Sequence, residues 1–145
     1  MRYLYNQQNK FGNCFILPNA IMQLDLSPLA RLIYFYLVYI EDRKTYQCYP
    51  SYRTIGKALN IESKTTVAKY VRELEDKCLI YTEPTEVILK DGKKRNGNLK
   101  YTIRPIQDAL EHFYHEQMQE NALAMQREKV AEMLKESGLK PVPAA

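Results

Sequence analysis

The stretch from Pro50 to Lys77, PSYRTIGKALNIESKTTVAKYVRELEDK, constrains this chain more than any other. Ser51 and Ser63 stand twelve residues apart, and each is placed to accept a hydrogen bond from the unpaired N–H groups that open a helix. That spacing leaves room for one short helix, carrying Ile55, Ala58 and Leu59, before a second begins. Asn60 tolerates the left-handed backbone that ends a helix, and Ile61 is an apolar plug for the angle between the pair. The stretch therefore reads as helix, tight turn, helix.

At 100° per residue, Val67, Val71 and Leu74 fall on one stripe of the second helix, which must face a core. Thr65, Lys69 and Arg72 then point outward, with Lys64 and Thr66 on the flanks. A hydroxyl, an ammonium and a guanidinium on one side match what base edges and phosphates accept. The plainer alternative is a charged face that is merely solvated.

With 145 residues and 46% hydrophobic content, one core with an appendage is expected rather than two domains. Eleven of the twelve residues from Leu29 to Ile40 are aliphatic or aromatic, yet the run is too short for a bilayer, which needs about 20. No signal-like apolar segment stands near Met1, so a cytoplasmic protein without a membrane span is expected. Cys14, Cys48 and Cys78 are odd in number and widely spaced, unlike a disulfide framework or a zinc site. Charge is uneven: residues 1–104 hold 17 Lys+Arg against 10 Asp+Glu, and residues 105–145 hold 4 against 7. The basic part contains the two-helix stretch, as an electrostatic footprint for a polyanion would.

In chain order, residues 1–12 make no periodic pattern, and Phe15–Leu17 suggests a brief strand or a strap. Asn19 is placed to cap Ala20–Leu24, and Ser27 with Pro28 to open a helix running to about Asp42. That helix is apolar nearly all round, so it is either the central helix or packs its Tyr34, Tyr36 and Tyr39 surface on a second subunit. Tyr46–Tyr49 suits a short strand. Leu79–Leu89 and Leu99–Arg104 suit two strands of a hairpin, with Asp91-Gly92 and Asn96-Gly97 as turn signals. Its tip and flanks carry Lys90, Lys93, Lys94, Arg95 and Lys100 against Asp91. Lysines also protect exposed strand edges, but five basic residues in eleven exceed that need.

Three segments, Leu26-Ser27-Pro28, Tyr49 to Ile55, and Val67 to Ile80 with its Leu-Glu-Asp-Lys-Cys-Leu-Ile ending, resemble bacterial winged helix-turn-helix proteins of phages and mobile elements. Relatives of that family include the N-terminal domains of plasmid replication initiators. The resemblance covers roughly residues 15–104. It implies a mainly α fold with a small antiparallel β hairpin, a winged helix-turn-helix, and double-stranded DNA as partner. Asn60–Ser63 is one residue longer than the usual turn of the class, so base contacts do not transfer position by position.

From Ile106 to Ser137 no proline or glycine interrupts, and Gly138 with Pro141 closes a helix about 48 Å long. Ile106, Leu110 and Phe113 make a docking stripe; Met118, Met125, Val130, Met133 and Leu134 remain for oligomerisation. The expected division is 1–104 for the winged domain with its N-terminal strap, 105–137 for the C-terminal helix, and 138–145 for a flexible tail. His112 and His115 beside Glu111 and Glu116 are more simply surface residues than a metal site. No Gly-x-Ser-x-Gly elbow or phosphate-cradling Gly-rich loop is present, so neither enzyme activity nor a cofactor is expected.

The expected function is sequence-specific DNA binding by a homodimer, as a transcriptional regulator or replication-initiation protein of a mobile element. Ser51, Tyr52, Arg53, Ser63, Lys64, Thr65, Thr66, Lys69, Arg72, Lys93, Lys94 and Arg95 are the expected contacts. The alternative is a protein-interaction adaptor, with the winged domain as scaffold and the C-terminal helix as partner site.

Overall fold

The computed structural model describes residues 14–138; the expectations for residues 1–12 and for the tail beyond Gly138 lie outside them. Four α-helices and five short strands follow in order: α1 Pro28–Ile40, β1 Gln47–Cys48, α2 Tyr52–Leu59, α3 Lys64–Asp76, β2 Ile80–Glu83, β3 Glu86–Ile88, β4 Lys94–Asn96, β5 Lys100–Ile103 and α4 Ile106–Glu136. The fold is mainly α with small antiparallel sheets, a winged helix-turn-helix followed by a long C-terminal helix.

The core is one cluster. α1 contributes Ala30, Ile33, Tyr34, Leu37 and Val38, α2 contributes Ile55, and α3 contributes Val67, Val71 and Leu74, the stripe that the 3.6-residue period marks. Tyr101 on β5 is fully buried beneath them. Burial pushes the Tyr34 hydroxyl and the Cys48 thiol both up to about 12, so each stays protonated in the core. α1 is thus the central helix. Tyr34 packs inside the chain, while Tyr39 is exposed and meets the ring of Phe15 at 5.5 Å. Phe15–Leu17 forms no strand and is the strap, with Leu17 packed against the core. Arg31, the lone charge in this apolar run, donates to the Leu24 carbonyl at 3.1 Å.

Two expected caps differ. Asn19–Met22 is a single 3-10 turn after Pro18, without a side-chain cap, because the short run to Leu24 leaves too few residues for an α-helix. Ser27 occupies the N-cap position of α1 but does not cap it with its own hydroxyl. Its N–H and hydroxyl both donate to the Glu73 carboxylate of α3, at 2.9 and 2.6 Å.

The two-helix stretch forms as its caps direct. Ser51 Oγ accepts from the Thr54 N–H at 3.0 Å, Ser63 Oγ from the Thr66 N–H at 3.4 Å, and Asn60 is left-handed at φ 58°. Gly56, which carries no obvious signal in the sequence, makes the turn possible. Its carbonyl accepts the Ile61 N–H at 2.8 Å, and a Cβ there would lie 2.6 Å from the Ile61 carbonyl oxygen.

The expected hairpin is two pieces. β5 is the centre of a three-stranded sheet, paired antiparallel with β1 (Cys48 opposite Tyr101) and with β2 (Thr82 opposite Tyr101). β3 and β4 pair separately, Val87 opposite Arg95. Asp91-Gly92 makes the tip turn, with Gly92 at φ 81° and its N–H donating to the Leu89 carbonyl at 2.9 Å. Asn96-Gly97 is a break instead. Pro84 has no N–H for the ladder, and the Thr85 hydroxyl donates to the Asn98 carbonyl. Gly97 lets that strand approach, since a Cβ would sit 2.5 Å from Thr85 Oγ1. Asn98 Nδ2 then donates to the Tyr49 carbonyl at 3.1 Å, tying the wing to the entry of α2.

Gly56→Ala tests the turn. Alanine is the better helix former by about 1 kcal/mol, but the close approach to Ile61 should reverse the sign and cost about 1–3 kcal/mol, read as a lowered urea midpoint. A stabilised variant would show that the turn has room for a methyl group.

Candidate nucleic-acid interface

α3 presents Thr65, Lys69, Arg72 and Asp76 as an exposed stripe opposite its buried one. Lys64 at its first turn is exposed, and Thr66 is half-buried. The Lys69 ammonium lies 5.3 Å from the centre of the Tyr70 ring, which holds the side chain along the helix. Asp76 closes the stripe with an acid, so the cationic part is the N-terminal two-thirds of the helix.

Two carboxylates on the same helix fix its orientation. Glu73 reaches back to Ser27 at the start of α1, while Glu75 accepts from the Thr82 hydroxyl on β2. They flank buried Leu74, so α3 is anchored on both sides of its apolar seam. The sequence marked neither; acids in an amphipathic helix read as solvated until a partner is placed beside them.

Ser51 and Ser63 are brought to the helix starts, where their hydroxyls already accept the capping N–H groups. Tyr52 is half-buried against the core, and Arg53 is exposed. A groove between α2 and the turn is lined by Arg53, Lys57, Asn60, Glu62 and Lys64. Lys57 was not among the expected contacts. Its i,i+4 relation to Arg53, away from Ile55, was a signal available in the sequence. Arg53, Lys57 and Lys64 thus give the helix pair a second basic edge beside the α3 stripe.

The wing is less cationic than its run of lysines implies. Lys100 Nζ lies 2.9 Å from Glu83, and that hydrogen bond raises its pKa. Lys94 Nζ lies 3.8 Å from Glu86. Alternation on β4 puts Arg95 on the face opposite Lys94, next to exposed Val87. Lys93, Lys94 and Arg95 therefore share the tip but not one face. Ile88 and Leu89 are exposed there as well, an apolar contribution that the charge pattern concealed.

A family model described as a helix-turn-helix domain matches residues 24–80, from the end of the strap through α3 into β2. Over that span the chain is similar to a helix-turn-helix domain. No curated protein matches the sequence. Among solved structures, a mutant of S. aureus MepR aligns over 93% of this chain and 91% of that one, at 17% identity and a TM-score of 0.37. So loose a likeness carries no further argument, and the winged fold stands on the arrangement of α2, α3 and the β2–β5 wing.

The expected oligomerisation residues do not share a stripe. α4 is continuous over 31 residues, and at 100° per residue Met118, Met125 and Met133 fall on one side with Tyr114 and Ala122. Val130 and Leu134 lie about 130° away, with Leu123. Near its start the helix is docked. Ala109 is buried, Ile106, Leu110 and Phe113 pack on the core, and Glu116 accepts from Lys77 at 3.4 Å. Residues 117–130 are all exposed. His112 pairs with Glu116 at 3.1 Å, and among the described residues no group of three His, Cys, Asp or Glu could hold a metal.

Glu73→Gln should separate positioning from contact. An amide keeps one acceptor oxygen and turns its NH2 toward the other Ser27 donor, so one of the two bonds is lost, at a cost of about 1–2 kcal/mol of stability. Thermal denaturation reads that loss; an unchanged midpoint would mean the Ser27 contact does not hold α3.

Proposed function

We propose that this chain binds double-stranded DNA sequence-selectively, with α3 in the major groove and the β3–β4 tip on phosphates or in the adjoining minor groove. The carrying observation is the exposed Thr65, Lys69, Arg72 stripe on a helix whose other side is locked into the core. Phosphate contacts from Arg53, Lys64, Lys93 and the wing supply affinity, and the α3 stripe supplies choice of sequence. Ser51, Tyr52, Ser63 and Thr66 border the same surface. The protein acts without catalysis, in the cytoplasm, as a transcriptional regulator or replication-initiation protein of a mobile element. In this reading residues 1–104 bind DNA and residues 105–137 join subunits.

The subunit proposal rests on α4. A single recognition helix reads a short site, and two copies on a two-part site give the selectivity a genome requires. The exposed Met118, Met125, Leu123, Val130 and Met133 supply apolar surface for a mate. Charge favours an antiparallel mate. The helix has no Lys or Arg before Arg127, while Glu111, Glu116 and Glu120 lie in its first half. The second half balances Arg127, Lys129 and Lys135 with Glu128, Glu132 and Glu136, so antiparallel pairing sets the acidic first half against a neutral one rather than against its like. If α4 instead binds a different protein, the chain is the adaptor described above, and the same surface is used.

Selection of bound sequences from a random duplex pool tests the central reading, and failure to enrich any sequence would sink it. In the wing, Lys93→Ala with Arg95→Ala should weaken specific and random duplexes alike and flatten the log–log salt slope by roughly 0.9 for each phosphate no longer neutralised. Lys69→Ala and Arg72→Ala should instead relax sequence preference, by about 1–3 kcal/mol for each side chain that reads a base in bidentate fashion. Truncation after Phe113 keeps the docking stripe of α4. It should leave a folded monomer with weaker DNA binding by sedimentation and titration. A full-length chain monomeric at all accessible concentrations, with and without DNA, would rule out the dimer.

A further inference from the structure

A pocket of about 430 Å³, which shares no lining residue with the α2–α3 groove, opens between the strap, the end of α1, the start of β1 and the junction of β5 with α4. Its volume falls inside the roughly 300–1,000 Å³ range of small-molecule sites. Tyr34, Val38, Tyr46, Ile103 and Ile106 are among its lining residues, and Glu41 brings a carboxylate to it. The Glu41 side chain is only 8% exposed. One of its oxygens meets Arg43 at 3.3 Å, from a side chain that is itself 57% exposed. The other, Oε2, is buried and accepts no hydrogen bond among the described residues. A buried carboxylate oxygen left in that state is costly, and apolar walls alone give no reason to keep it.

We propose that this pocket binds a small organic cation, a primary amine or ammonium attached to an apolar or aromatic body. Two features favour positive charge. The Glu41 oxygen lacks a donor among the described residues, and the carbonyl end of α1 carries the negative pole of the helix dipole; Tyr34 and Tyr46 add aromatic side chains to the lining. Burial raises the Glu41 pKa from its ordinary value, against the lowering effect of Arg43. Arg104, the one basic side chain among the described wall residues, has its guanidinium engaged by Asp108 at 3.2 Å. Tyr46 is held at φ 59°, its N–H donating to the Asp42 carbonyl at 2.7 Å and its carbonyl accepting from Ile103 at 2.9 Å. This backbone is unusual for a bulky residue, and it sets Tyr46 in the wall. Only one Glu41 oxygen lacks a donor among the described residues, so a single ammonium fits better than a two-pronged amidinium.

Benzylamine, protonated at neutral pH, is the probe, and benzyl alcohol is its neutral counterpart. Each is titrated into the full-length chain and followed by amide NMR shifts. Saturable shifts at Val38, Tyr46 and Ile103 are expected, with the amine binding at least about tenfold tighter than the alcohol, as for a hydrogen bond to a charged group. Glu41→Gln should bring the amine down to the level of the alcohol. Arg43→Ala, at an exposed side chain, removes the competing cation and should tighten the amine. Equal binding of the two probes to the native chain overturns the proposal without any variant. Shifts that map elsewhere overturn it too, as does the absence of saturable shifts with either probe.

Discussion

The recognition surface depends on how α3 is seated against α1. Val67, Val71 and Leu74 supply the apolar half of that seating, and apolar contact is strong but tolerant of small rotations. Glu73 removes the tolerance. By accepting from both the N–H and hydroxyl of Ser27, its carboxylate also serves the positive end of α1, where anionic groups are favoured. One ion thereby caps one helix and sets the rotation of another. Thr65, Lys69 and Arg72 project from the same helix, so their direction follows from this contact and from its counterpart, Glu75 with Thr82.

What was legible in the sequence is what local physics dictates. The Ser51 and Ser63 caps, the left-handed Asn60, the α3 stripe and the uninterrupted α4 all depend on neighbours within a few residues. The misplaced features depend on distant ones. Ser27 looked like a self-sufficient cap because its partner lies 46 residues away. Asn96-Gly97 looked like a turn because that dipeptide favours one, whereas here the glycine is used for close approach to Thr85. Gly56 gave no signal, since its role exists only once Ile61 folds back over it. For the candidate interface, residue types and outward angles were readable. The pairing of Lys94 with Glu86 and Lys100 with Glu83, which lowers the effective charge of the wing, was not.

That pairing changes what the wing can do. A hairpin with five unopposed cations would attach to any polyanion. Here two of the five are close to acids across the ladder, and Val87, Ile88 and Leu89 expose apolar surface near the tip. Surface ion pairs are weak, about 0–1 kcal/mol, so a phosphate can compete for Lys94. The cost of separating it from Glu86 still makes the wing contact more dependent on geometry than on charge alone. Its attachment through Asn98 to the Tyr49 carbonyl fixes the wing base relative to α2, while β3 and β4, paired only with each other, can adjust.

α4 poses the opposite problem, a long element with little to hold it. Its first three turns are docked, but residues 117–130 gain nothing from tertiary burial, and most helices in proteins are stabilised by such burial rather than by propensity. Ala, Glu, Gln, Met, Leu, Lys and Arg dominate the segment, all good helix formers, so the helix can persist while exposed. Propensity does not explain why its apolar residues gather into a methionine-bearing side and a Leu123, Val130, Leu134 side. A helix meant only to stay soluble would place polar residues on both. Two apolar sides suit a helix with neighbours on two flanks, such as an antiparallel mate on one and a winged domain of the second subunit on the other. In the proposed dimer that arrangement would let α4 set the spacing between two α3 helices, and so the distance between the two halves of a DNA site.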